Sequence, residues 1–302
     1  MEAGVQQRLR LGCLYVLSIG SNTKQDASSS TPTSKFTPED FPHSKIGTSK
    51  GYNAVTFAKW AAENATLIAN DLSHSHPELV LERLRKAYLK YQKTQKMEQA
   101  YKVNYRIDDN SKYIRSHIGL KIKDGSEALP EEATQIANFA TVYTHVEESL
   151  GGFNSDATYL RRNWRFATNQ FSDNEGNILE SGFIMLHNES PSVDTIIYRA
   201  PGAWDAKPAF RNIMQRVNTL ATSPWSKSSR AEWVKVMRGF FITMPFYSGT
   251  AGIGRVFFSA LAAKMKGGGT IKLPADIDLY ALTLNEADFA SWCESTIFDR
   301  EN

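Results

Sequence analysis

The residues best suited to chemistry fall between positions 244 and 256. Glycines at 249, 252 and 254 alternate with Thr250, Ala251 and Ile253, and Arg255 follows directly. Glycines let backbone amides approach an anion closely, a helix opening at Val256 adds partial positive charge, and an arginine there can pair with phosphate oxygens. That is the physics of a diphosphate cradle. The spacing matches neither a Walker loop nor a dinucleotide fingerprint, and no strand precedes it as those motifs require. The competing reading is that the glycines only let two helices pack closely. No acid or base accompanies them. His145 and His187 are isolated in sequence, and such histidines are more often structural or exposed than catalytic.

Helices must position this segment. Trp233, Val236, Met237, Phe240, Phe241 and Met244 repeat at three and four residues until Pro245 breaks the pattern. A second apolar helix is predicted over 256–266, closed by Gly267, Gly268 and Gly269 with Lys264 and Lys266 in its last turn. Ser229 with Glu232, and Thr283 with Glu286, have capping-box spacing; the second pair opens a closing helix with Phe289, Trp292 and Cys293.

Further helices are predicted from Phe210, Ile213, Met214, Val217 and Leu220, from Val55, Trp60, Leu67 and Ile68, and from Pro77 to about 101 with Leu81, Leu84, Tyr88 and Tyr91. Another runs from Pro130 through Ile136, Phe139, Tyr143, Val146 and Leu150. The period then changes: 158–166, Ile178, 183–186 and 195–198 read as short strands, with 173–176 as a turn. The expected fold class is mainly α (α+β), a central antiparallel pair of apolar helices beside a small antiparallel β hairpin.

Composition bounds the rest. With 302 residues, 41% hydrophobic and 22% charged, the chain can bury a sizeable core. A net charge of +3, from 35 basic and 32 acidic residues, argues against a nucleic-acid partner. Cys13 and Cys293 offer neither a disulfide framework nor zinc spacing, and His74 and His76 lack further ligands, so no metal is expected. Arg83, Arg85, Lys86, Lys90, Lys93 and Lys96 read as a solvated helix face rather than a phosphate patch. No segment has the length and apolarity of a membrane span. Arg8 and Arg10 before the apolar run 11–20 make a poor secretory signal. Residues 1–50, rich in Ser, Thr, Pro and Lys after position 20, read as a disordered leader, and 51–302 as a single domain.

Residues 244–249, Met-Pro-Phe-Tyr-Ser-Gly, followed by Gly252, Ile253, Gly254, Arg255, Val256 and a helix, resemble the Fic signature. In that signature a His-Pro-Phe turn leads through a Gly-Asn-Gly-Arg anion loop; here two residues are inserted. The family's general base falls on Met244, whose thioether takes no proton. The AvrB branch of this Fic/Doc/AvrB (Fido) superfamily also lacks the histidine. The chain is similar to it over 243–245, 248–251, 260–274 and the terminal helix, with weaker similarity at 143–150 and 160–163.

The resemblance implies a Fido-like helical core and a group transferase with a nucleotide-diphosphate site. AvrB-like proteins are associated with moving rhamnose from a nucleotide sugar to a threonine of a plant immune regulator, and Fic proteins with moving a nucleotide phosphoryl group onto protein hydroxyls. The implied ligand contacts are Gly249, Thr250, Gly252 and Gly254. Arg255 or Arg162 would replace the family arginine that falls on Ser248, and Thr134 matches the family's contacting threonine across a gap. The implied co-substrate is a nucleotide sugar or nucleotide, without a separate cofactor. The implied partner is a protein acceptor in a host cell into which an effector is secreted; the alternative location is cytoplasmic. Three readings stay open: an AvrB-like glycosyltransferase, a Fic-like nucleotidyl transferase, and a pseudoenzyme that only binds or a tailoring protein for a small molecule.

Overall fold

The computed structural model describes residues 34–42, 53–96, 103–108, 115–119, 164–172, 176, 178–186 and 195–299. Among them run the helices α1 (Ala54–Asp71), α2 (Pro77–Thr94), α3 (Ala203–Ala221), α4 (Lys227–Thr243), α5 (Thr250–Met265), α6 (Ile277–Thr283) and α7 (Glu286–Cys293). The strands β1 (Arg115–Gly119), β2 (Trp164–Ser172), β3 (Ile178–Leu186) and β4 (Thr195–Arg199) form an antiparallel sheet in the order β1-β4-β3-β2. The described residues are thus mainly helical, and the sheet, with four strands, is wider than the small hairpin expected from sequence.

Helix α5 is the centre. It is buried around nearly its whole circumference, from Ile253 through Ala263, which marks a core helix rather than an amphipathic surface one. Helix α4 packs along it. Gly254, early in α5, lies under Phe240 and Phe241 near the end of α4. One turn later the Phe258 carbonyl accepts a hydrogen bond of 3.2 Å from the Trp233 indole in the second turn of α4. Those two contacts set the pair antiparallel, as the sequence predicts. Aromatic edges lock it, with Phe258 T-shaped against both Phe240 and Trp233. The sheet meets this pair through Phe171 of β2, buried opposite Leu179 of β3; a side chain at Gly239 of α4 would lie 2.5 Å from the Phe171 ring.

Several boundaries differ from the sequence expectations. Helix α5 starts at Thr250, six residues before Val256, and α2 stops at Thr94 rather than near 101. The capping box of α4 is Ser226 with Ser229, because the backbone turns helical three residues before the expected cap; Glu232 instead takes a bidentate ion pair from Arg216. Asn285, not Thr283, caps α7 by accepting from the Asp288 amide at 2.9 Å. The helix expected from Pro130 to Leu150 lies outside the described residues.

Part of the expected leader, 34–42, lies among the described residues. All described residues, including 34–42, fall in one unit, Thr31–Asn302. In 34–42, Phe36 and Phe41 are buried, and the Phe36 amide donates to the Thr66 hydroxyl of α1 at 3.1 Å. Two aromatic residues set among polar ones bury enough surface to dock this segment despite its composition.

Candidate functional site

The turn joining α4 to α5 is built from backbone upward. Met244 ends α4 in the left-handed region, at φ 42° and ψ 65°, a costly conformation for a residue with a long side chain. Pro245 cannot continue the helix, and Phe246 drops into the core fully buried. Gly249 then caps α5 at φ 87°, where a side chain would also collide with the ring of Tyr88 from α2. This position requires glycine on both counts. The first α5 hydrogen bond runs from the Ile253 amide to the Gly249 carbonyl at 2.8 Å, and no side chain caps the helix start. Ser248, Gly249, Ala251 and Gly252 are half-buried, with Tyr88 on one side.

The sequence-derived contacts fall into three groups. Gly249 and Thr250 stand at the helix start; Thr250 is buried with its hydroxyl 3.4 Å from the Phe246 carbonyl. Gly252 and Gly254 are helical residues, not a loop. A side chain at Gly252 would meet Phe57 and Tyr88 at 3.3 Å, and one at Gly254 would meet Phe241 at 2.5 Å. At both positions neighbouring side chains leave little room for a side chain, as the competing reading of these glycines expects. Arg162 and Thr134, with His145 and His187, lie outside the described residues.

Arg255 lies inside the helix rather than ahead of it. Because α5 begins early, it sits in the helix's second turn, 3% exposed, and its guanidinium donates to the Pro42 carbonyl at 2.8 Å. It therefore anchors the 34–42 segment. Close by on α6, burial raises the Asp278 pKa to about 7; neighbouring Asp276 raises it further, and Arg255 partly opposes them.

Sequence reasoning missed Arg106. This arginine is 3% exposed and donates from Nε to the Met244 carbonyl at 2.9 Å, from Nη2 to Thr243 at 2.6 Å and from Nη1 to Pro201 at 2.7 Å. Its own amide donates to the Pro245 carbonyl at 2.7 Å, and the Tyr247 amide donates to Asn104 at 3.1 Å. A cation at the C-terminus of α4 also complements the helix dipole. No local pattern announces such a role, since the partners lie 138 residues apart for Met244 and 137 for Thr243.

Among the described residues no cluster of His, Cys, Asp or Glu could hold a metal ion, and no helix is long and apolar enough to cross a membrane. The basic face of α2 is partly paired: Arg83 with Asp71, and Arg85 and Lys86 with Glu82. No protein-family model matches the chain, and neither does any curated protein.

Proposed function

We propose that this protein is an AvrB-like group transferase with a Fido-like core. In this reading it moves a sugar, a rhamnose-like deoxyhexose, from a nucleotide sugar to a serine or threonine of a protein acceptor. The observation that carries it is the arrangement of α4, the 244–249 turn and α5. The 244–256 segment that carries the resemblance joins two antiparallel packed helices through a turn with a left-handed methionine, a proline and a left-handed glycine. The uncapped start of α5 offers backbone amides and the positive end of a helix dipole to a leaving diphosphate.

The chemistry is consistent with Met244. The bond from the anomeric carbon to the diphosphate breaks, a bond to the acceptor oxygen forms, and the acceptor proton leaves to solvent or to the diphosphate. Departure of a good leaving group lessens the need for a strong base, which methionine cannot supply. Arg255 donates to Pro42 from inside the helix, so this reading gives the positive charge for the diphosphate to Arg162, with Thr134 as a further contact. The acceptor in this reading is a host immune regulator reached by a secreted effector.

The second reading, a binding protein without catalysis, is favoured by Met244 and the buried Arg255. Intact-mass analysis separates the two. Incubation of protein and candidate acceptor with dTDP-rhamnose, UDP-glucose or ATP is expected to add a hexose- or deoxyhexose-sized mass from a sugar donor and none from ATP. A nucleotide-sized addition from ATP refutes the sugar transferase, and no addition from any donor favours the binding protein.

A further inference from the structure

We infer that Arg106 is the positioning residue for the α4–α5 turn, an inference that rests on reading 244–252 as the donor diphosphate site. Three carbonyls from two segments converge on one guanidinium: Thr243 and Met244 at the end of α4, and Pro201 just before α3. The planar fork has donors fixed in direction, so it can meet all three at once, whereas a lysine ammonium on a flexible stem cannot hold that geometry. The backbone around it reinforces the grip, with Tyr105 bridged to Phe246 and their rings 4.9 Å apart.

The consequence reaches the start of α5. Met244 occupies a backbone region that methionine rarely adopts, and such a conformation persists only when its surroundings over-determine it. Here Arg106 binds the Met244 carbonyl itself and the carbonyl before it, while its amide holds the Pro245 carbonyl. Only three residues separate Pro245 from Gly249, so the direction in which the α5 amides point follows from how the turn is held. Arg106 would touch no substrate; it acts by fixing the backbone that does.

The test pairs Arg106→Lys with Arg238→Lys. Arg238 is equally buried and donates to the Leu284 carbonyl at 2.9 Å, at the end of α6. Thus it controls for the loss of a buried guanidinium. Hydrogen exchange of the 244–252 amides and affinity for dTDP-rhamnose are measured in the full chain, with thermal midpoints alongside. Arg106→Lys is expected to speed exchange in 244–252 and to weaken binding by about tenfold or more. Arg238→Lys is expected to lower the midpoint while leaving both readouts as in the wild type. Wild-type exchange in Arg106→Lys, or equal effects of the two variants, overturns the positioning role. If the wild type binds no dTDP-rhamnose or other nucleotide sugar, the donor-site reading fails, while the exchange comparison still decides whether Arg106 holds the turn.

Discussion

Two segments of this protein are each anchored by one buried arginine, and they differ in what the sequence discloses about them. Arg255 stands in a glycine-rich stretch that looks built for phosphate, yet it reaches the Pro42 carbonyl in a segment whose composition looks disordered. Arg106 stands in an undistinguished stretch, yet it grips three carbonyls around the turn. In both cases a guanidinium satisfies backbone acceptors. A buried carbonyl without a donor is costly, and arginine has enough directed donors to serve several. An arginine next to glycines is therefore weak evidence for an anion until the surrounding backbone is known.

The strongest way to break this comparison is at the glycines. If Gly254 is there so that α4 and α5 can approach, Gly254→Val must displace Phe241, whose ring lies 2.5 Å from where even a first carbon would sit. Overpacking of this kind costs about 3 kcal/mol, read as a lower urea midpoint. A glycine that served only an anion would leave the midpoint unchanged and reduce ligand affinity alone.

A smaller effect separates the two roles of Arg255. Arg255→Ala removes the charge-assisted bond to Pro42, expected to cost about 1–2 kcal/mol in global stability. It should also raise proteolytic cleavage within 34–42 while leaving nucleotide-sugar affinity as in the wild type. Weakened affinity with 34–42 still protected would restore the anion role and remove the contrast with Arg106.

What could be read in advance follows the range of the interactions. The apolar period from Trp233 to Phe241 located α4, and Pro245 with Gly249 located the turn, because these signals act within a few residues. The roles of Gly252 and Gly254 were not legible, since glycine permits both a loop and a close helix crossing. What decides is the facing residue: Tyr88 and Phe57 for one, Phe240 and Phe241 for the other. Two serines three apart, Ser226 and Ser229, can both cap, and only the backbone path chooses. Docking of 34–42 depends on Phe36, Phe41 and a partner 213 residues away from Pro42, none of which local composition weighs.

A weaker, pH-dependent effect arises where Arg255 acts on Asp278. The Asp278 carboxyl is raised from an ordinary 3.8 to about 7, first by burial, then by Asp276, with Arg255 pulling it down. A carboxyl with a raised pKa binds its proton more tightly in the folded state, so its contribution to stability is fully present below pH 3.8 and is lost as pH rises through about 7. The thermal midpoint of the wild type should carry a downward component between those values that levels off above pH 8. Asp278→Asn keeps the size but cannot ionise, so the variant should lose that component and exceed the wild-type midpoint at pH 8. Combining it with Arg255→Ala isolates the pair. Without the guanidinium, ionised Asp278 loses a compensating charge, and the benefit of Asp278→Asn at pH 8 should grow. Parallel pH profiles for wild type and Asp278→Asn would show that this carboxyl stays solvated and that Arg255 does not act on it.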